Sequence, residues 1–116
     1  MDFNDNKPIY RQIVDYACDT ILGGRWKAGA LIPSVRELSG ELGVNPRTIL
    51  KAMEHLQNAG IIAARRGMGF ELTADATDRI RVDRRAEFFN TTLKTLSAEM
   101  TRLGLTAADI LPYLPS

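Results

Sequence analysis

The chain has 116 residues, of which 45% are hydrophobic and 25% are charged, a composition typical of one globular domain with at most a short appendage. Its 15 Lys and Arg residues nearly balance 14 Asp and Glu residues, so the net charge of +1 neither indicates nor excludes a nucleic-acid partner. A single cysteine, Cys18, and a single histidine, His55, exclude an internal disulfide and a Cys/His metal cluster within one chain.

The sequence also indicates where the protein is located and which chemistry it lacks. No apolar run approaches the roughly 18 residues of a membrane span, and the N-terminal residues lack the basic and apolar regions of a signal peptide. We therefore expect a soluble, cytoplasmic protein with no membrane partner. No Ser/His/Asp or Cys/His arrangement and no acid and base pair of carboxylates is evident, so we expect no catalysis, no cofactor and no metal.

The first predicted element is a helix that begins near Pro8. Apolar residues recur there at four-residue steps as far as Ile21, and a pair of glycines then stops the helix. Residues 25–33 lack helical spacing and end in a proline, which predicts a loop with a short extended segment.

Two further helices are predicted on either side of a glycine turn. Ser34 and Glu37 have the spacing of a capping box, which marks the start of a short helix that ends at Gly43. Asn45 followed by Pro46 has the pattern of an N-cap and a first helical residue, and this second helix runs to the next glycine.

A hairpin and a helical tail are predicted to follow. Residues 61–73 contain strand-like pieces on both sides of a glycine turn, and a long helical stretch then runs to Gly104, before a short helix capped by Thr106 and Asp109. The long stretch has apolar residues at alternating steps of four and three, a heptad seam that requires a partner helix. This seam consists of Val82, Ala86, Phe89, Leu93, Leu96, Met100 and Leu103.

The order of these elements is that of a winged helix-turn-helix, so the predicted fold is mainly α, with a small β-hairpin wing and a C-terminal helical dimerisation tail. At about 100° per residue, one side of the second helix of the motif is apolar, and the opposite side carries Arg47, Leu50, Lys51 and Glu54. Such a helix suits the major groove of double-stranded DNA, where basic groups reach guanine acceptors or phosphates and Leu50 meets a thymine methyl. The alternative is that these are ordinary solvated charges.

Three arginines outside that helix are also candidates. Arg36 lies near the start of the preceding helix, where it either contacts a DNA phosphate or forms a surface ion pair. Arg65 and Arg66 precede the glycine turn of the hairpin, which is either a wing that approaches the DNA backbone or a minor groove, or simply a solubilising turn. Residues 36–70 contain five basic and three acidic residues, a modest excess that predicts a need for two copies.

Several other conspicuous residues have simpler interpretations. Cys18 fits a buried inert thiol better than a redox sensor, His55 a surface residue better than a metal ligand, and Trp26 a core plug better than a ligand platform. Phe88 and Phe89 widen the apolar face of the tail, which dimer packing explains. An alternative is that a small hydrophobic effector binds between the tail helices, although the sequence offers no convergent polar groups that would orient it.

Successive motifs of the chain resemble the GntR family of bacterial transcription regulators. They run in register from about residue 8 to residue 73. About 43 residues follow Thr73, too few for the large effector domain of most GntR regulators, and this short two-helix tail, with Val44, Asn45 and Pro46 opening the recognition helix, looks like the YtrA subfamily. The matching motifs are Pro8–Ile13, Gly29–Leu38, Leu42–Thr48, Gly60–Ile62 and Arg65–Gly69.

This resemblance implies a dimeric repressor whose tail helices pair, often encoded beside transport genes that it controls. By position, Arg36, Arg47, Thr48 and the wing residues 65–69 match residues that the family uses on DNA. Arg47 stands where many subfamily members carry asparagine, which puts the half-site preference in doubt. Phe70 is a second departure, at a position where threonine is frequent.

Together these arguments divide the chain into a DNA-binding domain, residues 1–74, and a helical dimerisation region, residues 75–116. A two-fold dimer predicts an inverted-repeat operator with half-sites about one helical turn, or a multiple, apart. The alternative is a protein-interaction module whose seam binds a different helical partner. The predicted DNA-binding residues are Arg36, Asn45, Pro46, Arg47, Thr48, Leu50, Lys51, Arg65, Arg66, Gly67, Met68 and Gly69. The predicted dimerisation residues are Val82, Ala86, Phe88, Phe89, Leu93, Leu96, Met100, Leu103, Ile110, Leu111 and Leu114.

Overall fold

A computed structural model describes residues 6–116. Residues 1–5 lie outside this range. The prediction that the N-terminus lacks a signal peptide falls mostly on these residues. By contacts the chain divides into two compact units, Met1–Arg81 and Val82–Ser116. The elements are α1 (Ile9–Leu22), α2 (Val35–Leu42), α3 (Pro46–Asn58), β1 (Ile62–Arg65), β2 (Gly69–Leu72), α4 (Ala76–Glu87), a π-helical turn (Phe88–Thr92), α5 (Leu93–Leu103), α6 (Ala107–Ile110) and a 3₁₀ turn (Leu111–Tyr113).

The predicted N-terminal caps of α2 and α3 are confirmed. The backbone N–H of Glu37 donates to the Ser34 hydroxyl at 3.0 Å, and the Ser34 N–H donates back to the Glu37 carboxylate at 3.2 Å. At α3, the Arg47 N–H donates to Asn45 Oδ1 at 2.8 Å, and Pro46 occupies the first helical position. Both helices therefore begin where local backbone N–H groups find side-chain acceptors.

The turn between α2 and α3 sets the direction of α3. Gly43 follows α2 with φ of 66°, in the left-handed region that glycine adopts without a steric penalty. Across the same turn, the Ser39 hydroxyl donates to the Val44 carbonyl at 2.6 Å. One glycine and one side-chain hydrogen bond thus help to hold the turn between the two helices.

Alanine at Gly43 is expected to destabilise the fold by about 1–2 kcal/mol, because a Cβ is strained at positive φ. The matched control is Gly40, inside α2, where an added Cβ meets nothing within 4 Å. There alanine is expected to stabilise the protein by about 0.5–1 kcal/mol, since glycine is costly within a helix. Urea unfolding measures both changes, and equal destabilisation by the two variants would contradict the role assigned to the turn.

The core of the first unit joins α1, α2, α3 and the hairpin. One side of α3 supplies Ile49, Ala52, Met53 and Leu56, each at most 1% exposed, as its apolar spacing predicts. The opposite side of α3 is consequently left at the surface. The buried core consists of Ile13, Ala17, Cys18, Ile21, Ile32, Leu38, Ile49, Ala52, Met53, Leu56, Ile61, Ile62, Leu72, Ala76 and Ile80.

The hairpin is tied to the segment that precedes α2. β1 and β2 are antiparallel, with Ile62 opposite Leu72. The predicted extended segment also pairs with β2, because the Ile32 N–H donates to the Phe70 carbonyl at 2.9 Å and the Leu72 N–H donates to the Ala30 carbonyl at 3.2 Å. These bonds hold the base of the wing beside the start of α2.

The start of α4 is held against the end of α3. The Thr73 hydroxyl donates to the Gly60 carbonyl at 2.8 Å, and the Arg79 guanidinium lies over Gly60. Arg79 Nε also donates to the Asp75 carboxylate at 2.8 Å, and this bond holds the pKa of Asp75 below its usual value. By contacts the first unit therefore extends into α4 as far as Arg81, while the functional boundary between residues 74 and 75 stays a prediction.

The second unit contains a change of helix type that the sequence pattern did not predict. The heptad spacing predicts one uninterrupted helix to Gly104, whereas Phe88–Thr92 form a π-helical turn. All five residues of this turn have low helix propensity, which is the physical reason for a break there. A π turn adds about one residue to the helical repeat, so apolar residues after it are rotated by roughly 100° from those before it.

The predicted end of the long helical stretch and the last cap are confirmed. Gly104 ends α5 with φ of 69°. The Thr106 N–H donates to the Asp109 carboxylate at 2.8 Å in the capping box that begins α6. Across residues 6–116, no helix combines the length and the apolar character that a bilayer crossing requires.

Candidate nucleic-acid interface

The open side of α3 carries the side chains that the sequence pattern selected. Arg47 and Lys51 are exposed, Leu50 is 43% exposed, and Thr48 is half-buried. Arg47 lies in the first turn of α3 and forms no ion pair with any residue from 6 to 116. A free guanidinium at the start of an exposed helix face is available to bind an acceptor pair or a phosphate.

Arg36 lies in the first turn of α2, and its side chain is exposed. The alternative of a surface ion pair is not found, because Arg36 has no carboxylate partner within residues 6–116. Arg36 and Arg47 therefore each place an uncompensated positive charge in the first turn of a helix of the helix-turn-helix. Both positions favour the approach of a polyanion.

The two adjacent arginines of the wing differ in whether they have an ion-pair partner. The Arg65 guanidinium donates to the carboxylate of Glu71 on the opposite strand. Arg66 is exposed and has no such partner within the described residues. At the tip, Gly67 and Gly69 have φ of 73° and 110°, and Met68 is 59% exposed. Of the two, Arg66 is thus the uncompensated cation of the wing.

Glu71, the partner of Arg65, has no local signal in the sequence that links it to the wing arginines. It stands opposite Ala63 in the hairpin, diagonal to Arg65. Only the register of the two strands brings this carboxylate to the arginine.

A second contact missed by sequence analysis joins α1 to the exposed face of α3. The Lys51 ammonium lies 4.2 Å from the centroid of the Tyr10 ring. The His55 ring lies 6.3 Å from the same centroid, tilted by 56°, and the Arg11 guanidinium carbon lies at 5.8 Å. In the sequence, Tyr10 stands out only as a member of the Pro8–Ile13 motif, and nothing local links it to Lys51.

Three further residues have the burial that their simpler interpretations predict. Cys18 is buried in the core, and Trp26 is half-buried and packs against it. His55 is also half-buried, beside Tyr10.

Similarity to known proteins shows which family the chain belongs to. Residues 9–72, more than half of the chain, match the family model described as bacterial regulatory proteins, gntR family. The chain belongs to the GntR family. It is therefore a DNA-binding transcription regulator with a winged helix domain, and not an enzyme.

The similarity of this GntR regulator to known proteins extends through the tail. It is 32% identical over 111 residues to the uncharacterized HTH-type transcriptional regulator YhcF of Bacillus subtilis, covering 94% of this chain and 88% of YhcF. It is 38% identical over 76 residues to the HTH-type transcriptional repressor YtrA of Bacillus subtilis, covering 66% of this chain and 58% of YtrA. A solved GntR family transcriptional regulator from Listeria monocytogenes superposes with a TM-score of 0.80 at 36% identity, covering 96% of each chain. The similarity to YtrA supports membership of the YtrA subfamily.

The second unit of this GntR regulator exposes a large apolar surface. Val82 and Leu103 are each 66% exposed, Phe89 is 55% exposed and Leu96 is 41% exposed. Phe88 and Phe89 pack edge to face with ring centroids 5.3 Å apart. Within residues 82–116 no described residue is fully buried, so these apolar side chains have no core of their own.

Proposed function

We propose that this GntR regulator is a cytoplasmic homodimeric repressor that binds an inverted-repeat operator in double-stranded DNA. The observation that carries the proposal is the open side of α3, where Arg47 lies in the first turn without an ion-pair partner among residues 6–116 and Leu50 and Lys51 are also exposed. A helix of this kind, following a tight turn, fits the major groove.

The contacts with DNA divide by position. We expect Arg47 to donate to the two acceptors of a guanine and Leu50 to meet a thymine methyl. We expect Arg36, in the first turn of α2, and Arg66, beside the glycine tip of the wing, to contact phosphates. Base contacts give sequence preference, while phosphate contacts fix the position of the protein on the duplex.

The tail supports the homodimer. Large exposed apolar patches mark interaction sites, and the second unit exposes leucine, valine and phenylalanine side chains along α4, the π turn and α5. A two-fold pair of tails presents two copies of α3, which is the reason for two half-sites in inverted orientation. Dimerisation also doubles the modest positive charge that one copy presents to DNA.

The sign of regulation is proposed from similarity. The relative YtrA is named a transcriptional repressor, and its similarity covers 66% of this chain. A dimer seated on promoter DNA represses by occupying the site.

The test begins with selection of bound duplexes from a random library, followed by titration of the selected duplex and a scrambled duplex at two salt concentrations. Light scattering measures the mass of the free protein. We expect a species of twice the chain mass that binds the selected inverted repeat tightly and with strong salt dependence. A folded monomer that binds no duplex would instead favour the protein-interaction alternative, in which reversing the charges of Arg47 and Lys51 leaves the partner complex intact.

The wing gives a further prediction. Replacing Arg66 by alanine is expected to weaken binding to all duplexes alike and to lower the slope of log K against log salt by about 0.9 per wing, because one phosphate contact is lost. Glu71→Gln is expected to have the opposite effect and raise the slope, because it releases the Arg65 guanidinium. Fluorescence anisotropy across a salt series measures both slopes, and an unchanged slope for Glu71→Gln would contradict the assigned role of the pair.

A further inference from the structure

One aromatic ring on α1 holds a cation of the DNA-binding face. Tyr10 is partly buried and packs against the core of the first unit, so its position is fixed by the fold. The Lys51 ammonium lies 4.2 Å from the ring centroid, within the range of a cation–π interaction. His55, one turn further along α3, contacts the same ring. Tyr10 thus joins α1 to two successive turns of α3.

This contact turns the Lys51 ammonium toward the α1 side of the exposed face of α3. On the helical wheel, Lys51 lies about 100° from Leu50, toward the side that carries His55 and faces α1. The amine is drawn further in that direction by the ring. In a major groove, the edges of a recognition helix face the two sugar-phosphate backbones, whereas its centre faces the bases.

The surroundings of the ring also favour an anion. The Arg11 guanidinium carbon lies 5.8 Å from the Tyr10 centroid, so two cations share one ring. Neither side chain forms an ion pair with a carboxylate within residues 6–116. Two cations beside one ring make this part of the surface favourable for an anion.

We propose that Tyr10 is a positioning residue for DNA binding, whose ring holds Lys51 against α1 so that the ammonium contacts an operator phosphate rather than a base. The inference rests on the proposed function, because it takes α3 as the helix in the major groove. Lys51 is then a position-fixing contact and Arg47 the sequence-reading one. Preorganising one long side chain is worth about twofold to tenfold in affinity at each half-site.

A double-mutant cycle on the full chain tests this inference. The variants are Lys51→Met, Tyr10→Leu, the two combined, and Tyr10→Phe, which keeps the ring and removes only the hydroxyl. Anisotropy titrations use the selected operator and a scrambled duplex across a salt series. Urea unfolding and light scattering are run on every variant, because Tyr10 also packs against the core.

We expect Lys51→Met to weaken binding to both duplexes by the same factor. It should also lower the slope of log K against log salt by about 0.9 per half-site. Tyr10→Leu is expected to lower the affinity for DNA by about twofold to tenfold per half-site when Lys51 is present. Once Lys51 is replaced, Tyr10→Leu is expected to cause no further loss of affinity. Tyr10→Phe is expected to retain the coupling to Lys51, since the aromatic face is unchanged.

Two results would overturn the inference while leaving the proposed function intact. One is an equal loss from Tyr10→Leu with and without Lys51, which would make the role of Tyr10 structural only. The other is a Lys51→Met variant that keeps its salt slope but loses discrimination between operator and scrambled duplex, which would make Lys51 a base-reading residue. A folded wild-type protein without salt-sensitive DNA binding would overturn both proposals.

Discussion

Replacing Arg47 by alanine is expected to lower affinity for the operator by about 1–3 kcal/mol per half-site, while affinity for unrelated duplex falls far less. The guanidinium stands in the first turn of α3, exposed and without an ion-pair partner within residues 6–116. It therefore loses no internal contact when it binds a base, and its whole contribution is to recognition. Competition titrations of operator against scrambled duplex measure the change in discrimination.

Two other substitutions separate the charge of Arg47 from its shape. Arg47→Lys keeps the positive charge but not the planar fork that donates to two acceptors at once, so it is expected to lose most discrimination and keep the salt slope. Arg47→Asn is expected to move the preferred base from guanine toward adenine, because an amide pairs with adenine in the major groove. Sequence selection with each variant reads the preferred half-site directly.

The control for Arg47→Ala is Arg66→Ala in the wing. This variant is expected to weaken binding to all duplexes by the same factor. If both variants lose the same affinity on operator and on random duplex, the proposed division between base-reading helix and phosphate-contacting wing is wrong. The comparison is sharp because both side chains are exposed arginines of the first unit, so their net charge change is identical.

The parts of the fold that sequence predicted well are those fixed by local chemistry. The capping box at Ser34 and Glu37 and the Asn45 cap each join residues at most three positions apart, so spacing alone reveals them. The buried side of α3 follows equally from its apolar periodicity. These local signals were sufficient to place the helix-turn-helix and to select Arg47.

The parts that sequence missed depend on contacts between distant residues. Lys51 and Tyr10 are 41 positions apart and meet only when α1 packs against α3. Arg65 and Glu71 meet through the register of a hairpin whose exact pairing no local motif fixes. The π turn was hidden for a different reason, because a heptad pattern assumes one helical repeat throughout and takes no account of the low propensity of five successive residues.

Replacing Leu96 by glutamate is expected to convert the protein to a monomer. Leu96 lies in α5, and its side chain is 41% exposed within the second unit. In the proposed dimer this surface is covered by the partner, and a carboxylate there is buried without a counterion in both copies. Light scattering measures the mass of the variant, and circular dichroism checks that it remains helical.

The matched control is Thr95→Glu, which places the same charge one residue earlier in α5, on a side of the helix without apolar residues of the predicted interface. It is expected to stay dimeric and to bind DNA as the wild type does. Monomer formation by Thr95→Glu as well would show that charge on α5, rather than loss of the apolar contact, separates the copies.

Loss of the dimer is expected to reduce operator affinity by about 10²–10⁴, because the second half-site is no longer bound at high effective concentration. The Leu96→Glu monomer should nevertheless bind a duplex with one half-site as well as the wild type does, since α3 and the wing lie in the first unit. Equal loss on one-site and two-site duplexes would instead mean that the substitution damages the DNA-binding unit. A Leu96→Glu variant that remains dimeric would remove α5 from the interface, leaving the apolar residues before the π turn, which face a direction rotated by roughly 100°, as the surface that pairs.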